Sequence, residues 1–163
     1  MTVRQAFAIF GFVGFFASLL VHLTTFFGID LSRSVPWVWV LHMGIFVLFI
    51  PMLIVQGVKP KKDYWNKLLA DMPRWAGYAL KFFFVYVPIN FLLFIFLARG
   101  GVPEERDGKY VLNNHGTITR ELSEVEYEWQ KAYVLRGFSG HWMIFYLAAA
   151  LVLLYKKSEP ESP

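Results

Sequence analysis

Three histidines lie inside long apolar stretches of this sequence, where polar side chains are costly and often mark a functional site. They are His22 in "SLLVHLTTFF", His42 in "VWVLHMGIF" and His141 in "RGFSGHWMIF". Neutral imidazole is a ligand for haem iron and for zinc or copper, and it also forms hydrogen bonds between membrane helices. The three residues therefore either converge on one site or pair separately with neighbouring helices.

The composition places these histidines in a membrane protein. The 163 residues are 56% hydrophobic and 19% aromatic, and the mean hydropathy is +0.44. Only roughly half of the residues are apolar in a soluble domain. Apolar residues gather in four runs, at 6–29, 36–58, 75–98 and 140–155. Because about 20 helical residues cross the hydrocarbon core, the pattern predicts four transmembrane helices, of which the fourth is short.

Charge asymmetry predicts the orientation of the four helices. The loop between the second and third spans carries five lysines and arginines, whereas the loop between the first and second carries only Arg33. The positive-inside rule places the second-to-third loop, and with it both termini, in the cytoplasm. We therefore expect one membrane domain, 1–163, integral to a membrane of the bacterial inner-membrane type, with the segment 99–138 on the outer side.

The segments between the spans predict short elements of their own. Strand-like arms around "NNHG" predict a hairpin, and Ser123 with Glu126 forms a capping box that starts a short helix closed by Gly137. Ser139 is then expected to cap the fourth span. On the cytoplasmic side, an amphipathic helix at about 63–72 is expected to lie in the membrane interface or to dock on a partner subunit. The predicted fold is an all-α, four-helix integral membrane bundle with an extracytoplasmic hairpin and short helix between spans three and four.

Aromatic residues predict two further features of the outer side. Trp37 and Trp142 fall at the outer ends of predicted spans, where interfacial tryptophans are expected. Tyr127, Trp129 and Tyr133 are many large aromatic residues for a free loop. We therefore expect the short outer helix to lie across the mouth of the bundle, over the histidines, or against a partner subunit.

Spacing and depth favour a common histidine site. The small and polar residues of the first span recur every three or four positions: Gly11, Gly14, Ser18, His22 and Thr25. This stripe turns His22 toward other helices, roughly 10 Å below the outer end of its span, and His42 lies roughly 9 Å below the outer end of the second. The short fourth span allows His141 a similar depth. His115, in "NNHG", is a turn residue that could fold down as a fourth ligand.

Several chemistries are open to this histidine cluster. The residues could fasten helices by hydrogen bonds, bind haem b or a transition metal, or belong to a quinone or proton-handling site. Bis-histidine haem would use His42 with His141 or His22, between apolar walls that include Phe46 and Phe145. This architecture resembles the four-helix cytochrome b subunits of respiratory dehydrogenases, in which histidines of the second and fourth helices bind an outer haem. The sequence departs from that pattern in having no histidine toward the inner side.

No catalytic motif accompanies the histidines. Without cysteine the chain has no thiolate metal site or iron–sulfur cluster, and the sequence contains no HExxH, phosphate loop or nucleophile elbow. The net charge of +4 is spread over loops and does not indicate nucleic-acid binding. The predicted function is a non-catalytic or redox-associated membrane subunit that contacts lipid and other membrane subunits. The alternatives are a b-type haem electron-transfer subunit and a histidine-metal-dependent membrane enzyme.

Overall fold

One central helix carries the fold, and three other long helices pack around it. The computed structural model describes residues 1–56, 64–98 and 100–155. The helices in chain order are α1 (Val3–Thr24), α2 (Leu31–Ser34), α3 (Val40–Gln56), α4 (Tyr64–Asp71), α5 (Arg74–Leu97) and α6 (Glu124–Tyr155). Short 3₁₀ turns follow α1 and precede α3, at Thr25–Phe27 and Pro36–Trp39. Helix α6 is the central one, since α1, α3 and α5 each pack against it.

Three helical segments are long and apolar enough to cross a membrane, which confirms that part of the prediction. They cover Val3–Phe27, Arg74–Leu97 and Glu124–Tyr155. A fourth apolar segment, Pro36–Ile50, is shorter. The arrangement of four spans, with its orientation, therefore stays a prediction.

The least apolar of the three long segments is the most buried. The most apolar 18-residue stretch of α6 has a mean hydropathy of 1.7, and 67% of its residues are buried. The corresponding stretch of α5 has a mean hydropathy of 2.2, and 6% of its residues are buried. Small residues explain the central position of α6, because they let neighbouring backbones approach closely in lipid. Ala149 and Ala150 are completely buried, and Gly11 of α1 lies directly against Ala150.

Helix α6 runs without a break through the point where the sequence predicts a helix end. The prediction that Gly137 closes a short helix and that Ser139 caps a new span was wrong. Both small residues instead occupy places where another helix comes close. A Cβ atom on Gly137 would lie 2.8 Å from the Phe94 ring of α5. Small residues act here as packing positions and not as helix boundaries.

The predicted capping box does begin α6. The Glu126 N–H donates to Ser123 Oγ at 3.3 Å, and the Ser123 N–H donates to Glu126 Oε2 at 2.8 Å. The first turns do not cross the mouth of the bundle as a separate helix, because they belong to the same continuous helix as the membrane segment. Trp129 in these turns packs against Gly28, in the loop after α1.

An antiparallel three-stranded sheet replaces the simple hairpin that the sequence predicts. Its strands, in the order β1-β2-β3, are Val102–Arg106, Lys109–Asn114 and Thr117–Leu122. The predicted hairpin is confirmed as β2 and β3, joined by His115 and Gly116 with φ of 51° and 92°. Asp107 and Gly108, with φ of 53° and 75°, join β1 to β2 in the same way. Such left-handed residue pairs are typical of two-residue hairpin turns.

The amphipathic helix predicted at about 63–72 is present as α4, Tyr64–Asp71. Met72, directly after it, is buried, and α4 contacts α6. The expected N-cap, Asp63, lies outside the described residues. The position of α4 in a membrane interface stays a prediction.

Candidate functional site

The small and polar stripe of α1 faces the interior of the bundle, as predicted. All five of its residues are buried: Gly11, Gly14, Ser18, His22 and Thr25. At Gly14 a Cβ atom would overlap the ring of Tyr146 on α6. The stripe therefore brings α1 into close contact with the central helix and carries His22 into the core.

His22 connects three helices through both of its ring nitrogens. Its Nδ1 lies 2.8 Å from Ser139 Oγ on α6, and its Nε2 lies 2.5 Å from the Tyr86 hydroxyl on α5. His22 is 2% exposed and Ser139 is completely buried. Each polar atom here needs a partner inside the protein, because an unpaired buried polar group is costly.

The surrounding hydrogen bonds favour one tautomer of His22. Ser139 Oγ lies 3.3 Å from the carbonyl oxygen of Arg136, to which its hydroxyl can donate. If Nδ1–H donates to Ser139 and the Tyr86 hydroxyl donates to Nε2, every donor in the group has an acceptor. In the other tautomer Nε2–H donates to Tyr86, and the described residues provide no acceptor for the phenol proton. We therefore assign the proton of the neutral ring to Nδ1.

His42 is the hydrogen-bond acceptor for a buried tryptophan. The indole Nε1–H of Trp142 donates to His42 Nδ1 at 3.0 Å. Trp142 is completely buried on α6, so its indole does not face lipid head groups as an interfacial tryptophan would, and its depth in a membrane stays a prediction. A buried indole needs an acceptor, and His42 on α3 supplies it. The contact fixes the His42 tautomer, because an unprotonated Nδ1 in a neutral ring requires the proton on Nε2.

His141 is tied to its own helix. Its Nδ1 donates to the carbonyl oxygen of Gly137, one turn earlier, at 2.8 Å. The ring packs edge-to-face on Phe91 of α5, with 5.5 Å between the ring centroids. His141 therefore contacts α5, whereas His42 contacts Trp142 where α3 meets α6.

The structure pairs the three histidines of the predicted site with three different residues. His22 contacts Ser139, His42 contacts Trp142 and His141 contacts Gly137, so each has its own partner. Within residues 1–56, 64–98 and 100–155, no three His, Asp or Glu side chains are placed to hold a metal ion. A haem held by two of these histidines stays a prediction. Separate pairing is what the fastener alternative predicts.

The other residues of the predicted site are partly or fully exposed, and Phe46 packs edge-to-face on His42 with 6.0 Å between the ring centroids. Phe46 and Phe145, the expected walls of a haem pocket, are 53% and 38% exposed. His115 is exposed in the turn between β2 and β3, with a left-handed φ of 51°. It does not fold down toward the membrane histidines.

Two polar residues of the interior were not predicted as site residues. Tyr86 and Asn90 are four residues apart on α5, a spacing that puts both on one helix face and is visible in the sequence. Asn90 was predicted only as an interhelical hydrogen-bonder, and its Nδ2 donates to the Arg136 carbonyl oxygen at 3.0 Å. Arg136 itself is 9% exposed, with its guanidinium carbon 5.2 Å from the ring centroids of Phe26 and Tyr133.

A charged cleft of about 250 Å³ lies beside the sheet. It is lined by Asp30, Ser32, Arg33, Glu105, Tyr127, Glu128 and Lys131. Arg33 donates a hydrogen bond to Glu128, and this contact raises the pKa of Arg33. Asp30 accepts hydrogen bonds from Ser32 at the start of α2. The cleft is thus a polar junction between the α1–α3 connection, the sheet and α6.

Comparisons with protein-family models, curated proteins and solved structures give no match to this chain. The function is therefore argued from the contacts of the interior alone.

Proposed function

We propose that the chain is a non-catalytic membrane subunit whose histidines fasten its helices instead of holding a cofactor. The observation that carries the proposal is the separate pairing of the three rings. His22 bonds to α5 and α6, His42 bonds to α6, and His141 bonds within α6 and packs on α5. A haem or metal ligand needs a ring nitrogen directed at a shared centre, and these rings are directed at different neighbours.

Fastening by polar groups suits a bundle surrounded by lipid. Lipid chains are as apolar as leucine, so the hydrophobic effect does not drive helices together there. Close packing of small residues and interhelical hydrogen bonds take over that role. The contacts of His22, His42 and Asn90 all end on α6, so they attach α1, α3 and α5 to the central helix.

The exposed face of α5 supports a role as a subunit. Ala76 and Asn90 are the only buried residues of this 24-residue helix. Large apolar side chains cover its outward side: Phe82, Phe84, Val85, Ile89, Leu92 and Phe96 are all more than half exposed. In a bilayer, such a face is available to lipid and to another membrane protein alike. We propose that it meets a partner helix.

A spectrum and a metal analysis of the purified protein test the cofactor part of the proposal. We expect no Soret band and less than one equivalent of zinc, copper or iron. His115→Ala is the matched control, because this exposed turn histidine is outside the bundle. A Soret band, or a stoichiometric metal, that His42→Ala abolishes and His115→Ala retains would overturn the proposal.

Photocrosslinking in native membranes tests the subunit part. A photoreactive residue at Phe84, which is 77% exposed on α5, should give an adduct with a second protein. The same residue at Val13, which is 61% exposed on α1, is the control and should react with lipid only. Lipid adducts alone at both positions would contradict the assignment of α5 as a partner surface.

A further inference from the structure

A buried arginine on the central helix forms no ion pair with any residue of 1–56, 64–98 or 100–155. Arg136 is 9% exposed, and its Nε is buried without a hydrogen-bond partner. Its guanidinium packs against the rings of Phe26 and Tyr133, 5.2 Å from each centroid. Arginine stays charged in proteins, so burial cannot neutralise it as it can neutralise lysine.

Three carboxylates near this end of α6 already have other partners. Glu128 pairs with Arg33, Glu126 pairs with Arg120 and Asp30 accepts from Ser32. In the part of the chain that the structure describes, no carboxylate forms an ion pair with Arg136. A buried charge without a counter-ion is strongly unfavourable, and aromatic rings compensate it only in part.

The guanidinium lies toward the end of the bundle that carries the sheet. Asn90 Nδ2 donates to the Arg136 carbonyl oxygen, so the backbone at this point is about 10 Å below the end of α5 at Leu97. The side chain extends from there toward Tyr133, one turn nearer the sheet, as helical side chains do. Phe26, at the end of α1, is 49% exposed beside it. In the proposed membrane arrangement we expect lipid head groups at this level, to which long cationic side chains extend.

We propose that Arg136 binds the acidic head group of an anionic membrane amphiphile. The planar guanidinium presents parallel N–H groups that match the two oxygens of a phosphate or a carboxylate. The exposed Phe26 ring offers an apolar surface for the adjoining acyl chain. The bound oxyanion supplies the missing counter-charge and fixes the junction of α1 and α6. The site adjoins the His22 contacts, since Phe26 packs edge-to-face on the His22 ring with 5.4 Å between the ring centroids. Binding of an anion there goes beyond the fastening role proposed above.

Thermal unfolding of the full chain in a non-ionic detergent tests this site. Dioleoylphosphatidylglycerol and oleate are the anionic probes, dioleoylphosphatidylcholine is the zwitterionic probe, and inorganic phosphate is the free anion. We expect either anionic amphiphile to raise the unfolding midpoint by about 5 °C at saturating concentration, with one molecule bound in native mass spectrometry. Phosphatidylcholine should raise it less, because its choline group competes with the guanidinium.

Two arginine variants assign the effect to one position. Arg136→Met should abolish the increase that the anionic amphiphiles produce. Arg33→Met is the matched control, since Arg33 lies on the same side of the molecule in an exposed ion pair, and it should keep the increase. An equal increase in wild type and Arg136→Met would overturn the proposal. An equal effect of inorganic phosphate, lost in Arg136→Met, would support the oxyanion site with a free anion as its ligand.

Arg136→Lys keeps the test decisive if the methionine variant does not fold. Lysine retains the charge but lacks the planar pair of N–H donors. We expect the preference for phosphatidylglycerol over phosphatidylcholine in native mass spectrometry to fall at least about fivefold, since bidentate geometry distinguishes arginine from lysine. An unchanged preference would overturn the proposal.

Discussion

At His22 a single imidazole ring joins three helices, because its two nitrogens have different hydrogen-bonding roles. The assigned tautomer donates from Nδ1 to Ser139 and accepts at Nε2 from Tyr86. Few other side chains of this size can accept and donate in opposite directions while remaining neutral. In the membrane interior neutrality is valuable, because an uncompensated charge is costly there.

Replacing Tyr86 with phenylalanine removes the hydroxyl that donates to His22 and leaves Nε2 unpaired. We expect the free energy of unfolding in mixed detergent–lipid micelles to fall by about 0.5–1.5 kcal/mol. Tyr78→Phe is the control, since Tyr78 lies on the same helix and is 68% exposed, and its unfolding energy should not change. A Tyr86→Phe protein as stable as wild type would contradict the hydrogen bond.

Replacing Trp142 with phenylalanine removes the donor to His42 and leaves a small cavity in the core. We expect the free energy of unfolding to fall by about 1–3 kcal/mol, measured in the same micelles. Trp37→Phe, at a position that is 79% exposed, should change it little. If both substitutions have equal effects, Trp142 does not have the buried role that the structure gives it.

Among the helices, the position of α6 illustrates what the sequence can and cannot predict. The inward stripe of α1 follows from the spacing of small and polar residues, and the structure confirms it. The continuity of α6 does not follow, because Gly137 and Ser139 also match the end and start signals of soluble helices. Only the neighbouring Phe94 and His22 show that these small residues make room for other helices.

The contact of α1 with α6 leads to a prediction at Gly14. A Cβ atom there would overlap the buried ring of Tyr146, so Gly14→Ala must push the two helices apart. We expect the free energy of unfolding to fall by about 1–3 kcal/mol, as for other overpacked cores. Gly77→Ala on α5 is the matched control, because no other described element lies within 4 Å of its added methyl group. Equal stability of the two variants would show that α1 and α6 are not in this close contact.

Two of the three strands of the sheet, β2 and β3, could be predicted from the sequence. "NNHG" is a recognisable turn, and the hairpin that it predicts is present. "DG" at Asp107 and Gly108 is an equally good signal, yet β1 contains Pro103 and two adjacent glutamates, which weaken a strand pattern. The strand forms because it pairs at the edge of the sheet and buries Pro103.

At the scale of the whole molecule, the hydrogen-bond partners of the histidines could not be predicted from the sequence. The spacing of residues along a helix predicts the depth of a side chain and the helix face on which it lies. The partner of that side chain also depends on which helix is central and how each helix is rotated. Hydropathy alone favours α1 or α5 for the interior, since their mean hydropathy of 2.2 exceeds the 1.7 of α6. In lipid, small residues and not apolar ones decide which helix other helices surround.

The orientation of the whole molecule in the membrane is a further prediction. A reporter inserted at Gly108, in an open turn of the sheet, should be extracytoplasmic. Reporters inserted near Lys61 or fused after Pro163 should be cytoplasmic, because the basic loop between α3 and α5 sets the orientation. Paired alkaline phosphatase and fluorescent protein fusions at each position measure this. A cytoplasmic Gly108 would reverse the orientation that the charges predict.

The central position of α6 also has a consequence for biosynthesis. Helix α6 follows α1, α3 and α5 in the chain. The ribosome therefore synthesises this central helix last. Until then His22 and Asn90 lack their partners on α6, and the earlier helices have no common surface on which to assemble. In the membrane subunit that we propose, these polar groups therefore stay without their α6 partners until Ser139 and Arg136 have been synthesised.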